Sequence, residues 1–101
     1  MTGARQYRRQ ILLEATLTIV NRLGLHARAA SKFVNLAKTF SSEISLTREA
    51  EAVDGKSIMS VMLLAAPVGS KIDLRVEGAD EASALEALQT MVDDGFGERD
   101  D

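Results

Sequence analysis

LEATLTIVNRLGLHARAASKFVNLAK, residues 13 to 38, changes its period halfway along. Leu13, Ala15, Leu17 and Ile19 alternate with Glu14, Thr16 and Thr18, the two-residue repeat of a half-buried strand. From Ala27 onward Ala30, Phe33, Val34 and Ala37 recur at helical spacing, ending near Lys38. Asn21-Arg22-Leu23-Gly24 is the turn-like break between the two patterns. His26, the only histidine in the chain, stands where the helix begins.

Ile44 and Leu46 mark a second short strand, and Ala52-Val53 a third, with Arg48-Glu49-Ala50-Glu51 connecting them. Asp54-Gly55 is a turn signal, after which Ser57 can cap a short helix of Ile58, Met59, Val61, Met62, Leu63 and Leu64. Pro67 and Gly69 close that segment. Lys71 to Glu77 alternates with Ile72, Leu74 and Val76 inward. Asp80 is placed to cap a closing helix with an apolar stripe of Ala82, Leu85, Leu88, Met91 and Val92, and Gly95 lies just past its end.

The order is strand, helix, strand, strand, helix, strand, helix. Four short strands must cover three helices, so the economical fold is α+β: helices on one face of a mainly antiparallel sheet. The other face would carry Thr16, Thr18, Asp73 and Arg75 to water. Residues 1 to 10 read as a basic extension, residues 11 to 97 as one domain, and residues 98 to 101 as an acidic tail. The whole of GFGERDD, residues 95 to 101, is expected to fray.

Composition removes several classes of function. A chain of 101 residues with 46% hydrophobic and 27% charged residues has room for one core. A net charge of −3 gives no general basic surface for nucleic acid or anionic lipid. The absence of cysteine excludes disulfides and thiolate chemistry and fits a reducing, cytoplasmic setting. No apolar run approaches the roughly 18 residues of a membrane span. The N-terminus lacks the apolar stretch of about 7–15 residues of a secretory signal. One histidine without cysteine or a spaced carboxylate cluster makes no zinc site, and no cofactor is called for. Gly55-Lys56-Ser57 is no phosphate loop, because Ala50 stands where that motif needs glycine.

His26 is more interesting. A helix start carries unpaired amide donors and about half a positive charge, which attract anions. Arg28 in the first turn is poorly placed for the helix dipole and well placed for an anionic ligand. Such positive surroundings are expected to keep the imidazole neutral, with a nitrogen lone pair available as a nucleophile. Phosphoryl transfer needs that nucleophile beside donors for the three equatorial oxygens.

Gly24-Leu25-His26-Ala27-Arg28 resembles the active-site signature of the phosphocarrier protein HPr family of the bacterial phosphotransferase system. Gly55-Lys56-Ser57-Ile58-Met59, with Val61-Met62, is similar to that family's regulatory-serine helix. Gly78-Ala79-Asp80-Glu81, with Ala84-Leu85 and Leu88, is similar to its closing helix. The resemblance runs in order from about Glu14 to Gly97. It implies an open-faced sandwich of four antiparallel strands and three helices, in the order βαββαβα. It also implies that His26 is phosphorylated on Nδ1 by phospho-Enzyme I and passes the group to an Enzyme IIA domain, with Arg28 holding the phosphate. Ser57 becomes a candidate target of an HPr kinase/phosphorylase.

Two residues depart from the family pattern. Ala29 stands where proline is usual, which returns a backbone N–H to the first turn. Ser60 stands where glycine is common. The short helix is apolar nearly all round, so Val61 and Leu64 are assigned to the core. Ile58, Met59 and Met62, with Ala27, are assigned to an exposed partner-binding patch. The resulting reading is a monomeric phosphoryl relay and no free-standing catalyst. Its rivals are a nitrogen-related branch of the same system, and a regulatory module worked by Ser57 while His26 idles.

Overall fold

In the computed structural model, which describes residues 12–98, β4 (Lys71–Glu77) occupies the middle of a four-stranded sheet. The strand order is β1 (Leu13–Thr18), β4, β2 (Glu43–Arg48), β3 (Glu51–Asp54), with every neighbouring pair antiparallel. The register explains why the alternation is productive. Leu17 faces Ile72, Ala15 faces Leu74, and on the other side Leu46 faces Leu74 and Ile44 faces Val76. One face is therefore apolar across three strands, and Ile72, Leu74 and Val76 are fully buried there. The opposite face pairs polar groups at the same register. The Thr16 hydroxyl donates to Asp73 at 3.0 Å, Arg75 pairs with Glu14 at 2.9 Å, and Lys71 donates to the Thr18 hydroxyl at 3.1 Å. Such exposed pairs contribute about 0–1 kcal/mol each, so they fix register more than stability.

The expected βαββαβα order holds. α1 (Ala27–Ala37) buries Ala29, Ala30, Phe33, Val34 and Ala37, and α3 (Glu81–Asp93) buries Ala84, Leu88 and Val92. α3 packs on β1 and β4, while α1 packs against α3 and α2 (Ile58–Leu63). Ala84 takes the core place expected for Ala82, which is exposed; Leu85 and Met91 are only partly buried. The helix turns by 100° per residue, and Ala84, Leu88 and Val92 at intervals of four align where Ala82 falls off the stripe.

β2 and β3 are joined by Glu49 and Ala50 alone, both with positive φ, 51° and 70°. That is the geometry of a two-residue hairpin turn normally built from Asn-Gly. The strands consequently reach further toward each other than Arg48–Glu51 as a connection implied.

Two side-chain devices tie the helices to the sheet. Asp80 stands at the N-cap of α3, but its carboxylate makes no capping bond to that helix. It accepts instead from the Ser41 amide at 2.9 Å, the Ser42 amide at 3.0 Å and the Ser42 hydroxyl at 2.5 Å, clamping the segment that leads into β2. The Ser42 hydroxyl, followed by the Ser41 amide, draws its carboxyl down from 3.8 to about 2. Gly24, with φ of 72°, lies so close to the segment after α2 that a Cβ there would stand 2.6 Å from the Ala66 carbonyl oxygen. The Leu25 amide donates to that same oxygen at 2.8 Å. The loop before α1 is thereby pinned to the end of α2.

The N-terminal extension at residues 1 to 10 lies outside the described residues, as do residues 99 to 101. Residues 95 to 98, expected to be part of a loose tail, pack back against the fold. Gly95–Gly97 form a tight turn of left-handed backbone, and Phe96 is only 2% exposed, because its ring completes the core beside α1 and α3.

Two outcomes follow from these contacts. A depressed folded-state pKa stabilises above the unfolded value and is lost as pH falls through the folded one, so Asp80 supports the fold above about pH 4 and ceases to do so near pH 2. Asp80→Asn, which offers one acceptor to three donors, is expected to lower Tm at neutral pH and flatten its decline over that window, checked by calorimetry across pH. Gly24→Ala is expected to destabilise by about 1–3 kcal/mol through backbone strain and the collision with Ala66, measured by urea unfolding.

Candidate functional site

His26 caps α1 by position only. Its backbone is extended, with φ of −84° and ψ of −178°, and its side chain makes no hydrogen bond to the helix amides. The Ala30 amide donates to the His26 carbonyl at 2.8 Å as the first bond of the helix. The amides of Ala27, Arg28 and Ala29 therefore have no acceptor within the helix and point out of its start. Ala27 and Arg28 are exposed, whereas Ala29 is fully buried against the core. The helix start thus carries a partly exposed imidazole, with the exposed Arg28 two residues further on.

The imidazole is not left to itself. Its Nε2 lies 2.5 Å from Oε2 of Glu98, which arrives from the end of the chain. The other carboxylate oxygen of Glu98 accepts from Asn21 Nδ2 at 2.9 Å. Asn21 is 4% exposed and gives its second amide hydrogen to the Gly24 carbonyl at 2.8 Å. Lys32, one turn into α1, donates to the Phe96 carbonyl at 2.9 Å and holds the strap that carries Glu98. Burial is the largest single influence on the Glu98 carboxyl and pushes its pKa upward. The hydrogen bonds from Asn21 and His26, with the charges of His26 and Lys32, outweigh it and leave the group below its ordinary value.

This geometry changes the account of the ring. Sequence reasoning surrounded His26 with positive groups alone; a carboxylate in fact touches it. An ionised carboxylate can only accept, so it selects a ring with hydrogen on Nε2. In the neutral ring the lone pair then belongs to Nδ1, the nitrogen that Glu98 does not occupy. The arrangement can present a nucleophile, with amides and Arg28 available to a group bearing negative oxygens.

Ser57 caps α2, its hydroxyl accepting from the Ser60 amide at 3.3 Å, and is half-buried. The apolar patch on α2 is shifted from its expected place. Met59 is 76% exposed and Met62 40%, but Ile58 packs partly against the core, and Leu63 at 75% takes its place on the surface. Val61 and Leu64 are buried as expected. The helix is only six residues long, and its core side is set by Val61 and Leu64, which leaves Leu63 facing out.

Asn21, Lys32 and Glu98 were not singled out as site residues from the sequence. Glu98 lies 72 positions from His26, beyond any local pattern. The usable signal was Phe96, an apolar residue between two glycines, which marks an anchored segment and not a loose one.

Comparison with known proteins agrees with this frame. The family model described as "PTS HPr component phosphorylation site" matches residues 13–94. The phosphocarrier protein HPr of Neisseria meningitidis serogroup A is 47% identical over 87 residues, covering 86% of this chain and 98% of that protein. That of Cupriavidus necator is 46% identical over the same shares. Among solved structures, HPr from Thermoanaerobacter tengcongensis superposes with a TM-score of 0.83 at 41% identity, covering 86% of this chain and 98% of that one. A family model spanning nearly all the strands and helices, with relatives matched over almost their whole length, leads to one conclusion: the chain belongs to the HPr phosphocarrier family of the phosphotransferase system.

Proposed function

We propose that the protein is a phosphoryl relay in which His26 takes a phosphoryl group from phospho-Enzyme I and yields it to an Enzyme IIA domain. The observation that carries this reading is the ring itself: Nε2 is held by Glu98 at 2.5 Å, so Nδ1 is left as the free nucleophile at a helix start. The Nδ1 lone pair attacks phosphorus in line with the donor. Arg28 and the outward amides of the first turn meet the equatorial oxygens, whose charge must be stabilised as the group passes across. The same contacts serve the reverse step to the acceptor, so no separate catalytic base is required.

Met59, Met62 and Leu63, with exposed Ala27, form the surface on which both partners would dock. Methionine suits a face that must fit two different proteins, because its side chain repacks readily. Ser57 is proposed as a second point of control. A phosphate on it would add about −1.5 to −2 charges at the start of α2, beside that docking face. The relay would act as a monomer in the cytoplasm, and no helix among the described residues is long and apolar enough to cross a membrane.

The test uses the full chain, Enzyme I and phosphoenolpyruvate, read by intact mass. One acid-labile phosphoryl group is expected on the parent and none on His26→Ala. An unmodified parent, with Enzyme I active on a control carrier, would sink the relay and favour the Ser57 module. Arg28→Ala is expected to slow phosphorylation roughly ten- to hundredfold with Tm unchanged, less than for a donor in a closed site because solvent screens it. A rate equal to the parent's would remove Arg28 from the site.

A further inference from the structure

The chain invests unusual backbone geometry in delivering Glu98. Gly95, Phe96 and Gly97 are three consecutive residues in the left-handed region, with φ of 65°, 60° and 76°. For phenylalanine that conformation is strained, and it is held because the ring is buried and Lys32 grips the carbonyl. Asn21 adds a second sign of strain. Its Oδ1 is buried with no hydrogen-bond partner among the described residues, because both of its amide hydrogens are committed, to Gly24 and to Glu98. Turning the amide over would satisfy nothing, since it would set oxygen against the Gly24 carbonyl and the carboxylate. The arrangement favours a fixed carboxylate over a satisfied asparagine.

We propose that Glu98, locked by Asn21, is a positioning residue that keeps the proton on His26 Nε2 throughout the transfer cycle. This rests on the relay reading above and says how the ring can both accept and release the group. On acceptance, the Nδ1 lone pair forms the bond to phosphorus while the bond from phosphorus to the donor atom breaks, its electron pair staying with the donor. No proton moves, so the ring becomes positive with Nε2–H against the carboxylate. On release, a nucleophile of the acceptor bonds to phosphorus as the P–N electron pair returns to Nδ1, and the ring departs neutral. Without the Nε2 proton it would have to leave as an anion, a far poorer leaving group. The charged side chains nearest in sequence on the flanking segments, Arg22, Arg28 and Lys32, are all cations. Of the two acids on the strap, Asp94 and Glu98, Glu98 is the one bonded to it.

Glu98→Gln is a sharp probe, because glutamine has one oxygen for two donors. With that oxygen on the buried Asn21 amide, its NH₂ faces Nε2 and demands the opposite tautomer, with hydrogen on Nδ1. The experiment records ring ¹⁵N shifts of His26 in the unmodified full chain, then its phosphorylation by phosphoramidate, which needs no Enzyme I. Hydrogen on Nε2 is expected in the parent and a shift toward Nδ1–H in Glu98→Gln. Phosphorylation should slow by about tenfold, the equivalent of one pK unit of protonation preference. Asn21→Ala, which frees the carboxylate, should move the tautomer in the same direction by less. A purely structural role would change Tm and leave the tautomer alone. Identical ring shifts and rates in parent and Glu98→Gln would overturn the proposal. Failure of the relay reads differently: the parent then stays unmodified with Enzyme I and phosphoenolpyruvate while its ring nitrogens still answer to Glu98→Gln.

Discussion

The contact between Glu98 and His26 joins residues 72 positions apart, and much of the local geometry around the site exists to hold its two ends. At one end, Gly24 lets the loop before α1 press against Ala66, which fixes where the helix starts and therefore where the imidazole stands. At the other, a buried Phe96 and the Lys32 grip hold a strained strap, so that Glu98 arrives in one orientation. Asn21 belongs to both ends, bonded to Gly24 and to Glu98. Each of these contacts bears on where the ring stands or on how the carboxylate meets it.

The sheet supplies the rigidity that such a contact needs. Ile72, Leu74 and Val76 of β4 are buried between the apolar rows of β1 and β2, and α3 lies across β1 and β4. Close packing of this kind gives way to a changed side chain only at a cost of about 2–5 kcal/mol for loss of a large one. The functional groups are all carried on the rim of this platform, in loops and helix starts. Met59 and Leu63 are largely exposed, and Met62 partly so, outside the buried core. A cluster of exposed apolar side chains on one short helix is the kind of surface that suits a docking partner.

Most of the frame was legible in the sequence because it rests on local periodicity. The strand alternation around Leu17 and Leu74 and the helical spacing of Ala30, Phe33, Val34 and Ala37 are each set by neighbours within a few residues. So was the position of His26 at the helix start, and the cap by Ser57. What escaped has a common physical cause. The Glu49–Ala50 turn adopts left-handed φ without glycine or asparagine, imposed by pairing of the strands on either side. Ile58 and Leu63 exchange roles because one side of a six-residue helix is decided by what it packs on, not by its own pattern. Glu98 looked like part of a charged tail, and only tertiary structure brings it back to the ring. The expectation of a ring governed by positive charge alone failed for that reason.

The central claim is that Glu98 occupies Nε2 and so makes Nδ1 the nitrogen that carries phosphorus. It is tested most directly by ³¹P–¹⁵N correlation on the full chain, labelled at the histidine ring and phosphorylated by Enzyme I. A single phosphorus resonance coupled to Nδ1 of His26 is expected, with hydrogen still on Nε2. Phosphorus coupled to Nε2 would contradict it, because that nitrogen could then not be the one the carboxylate holds.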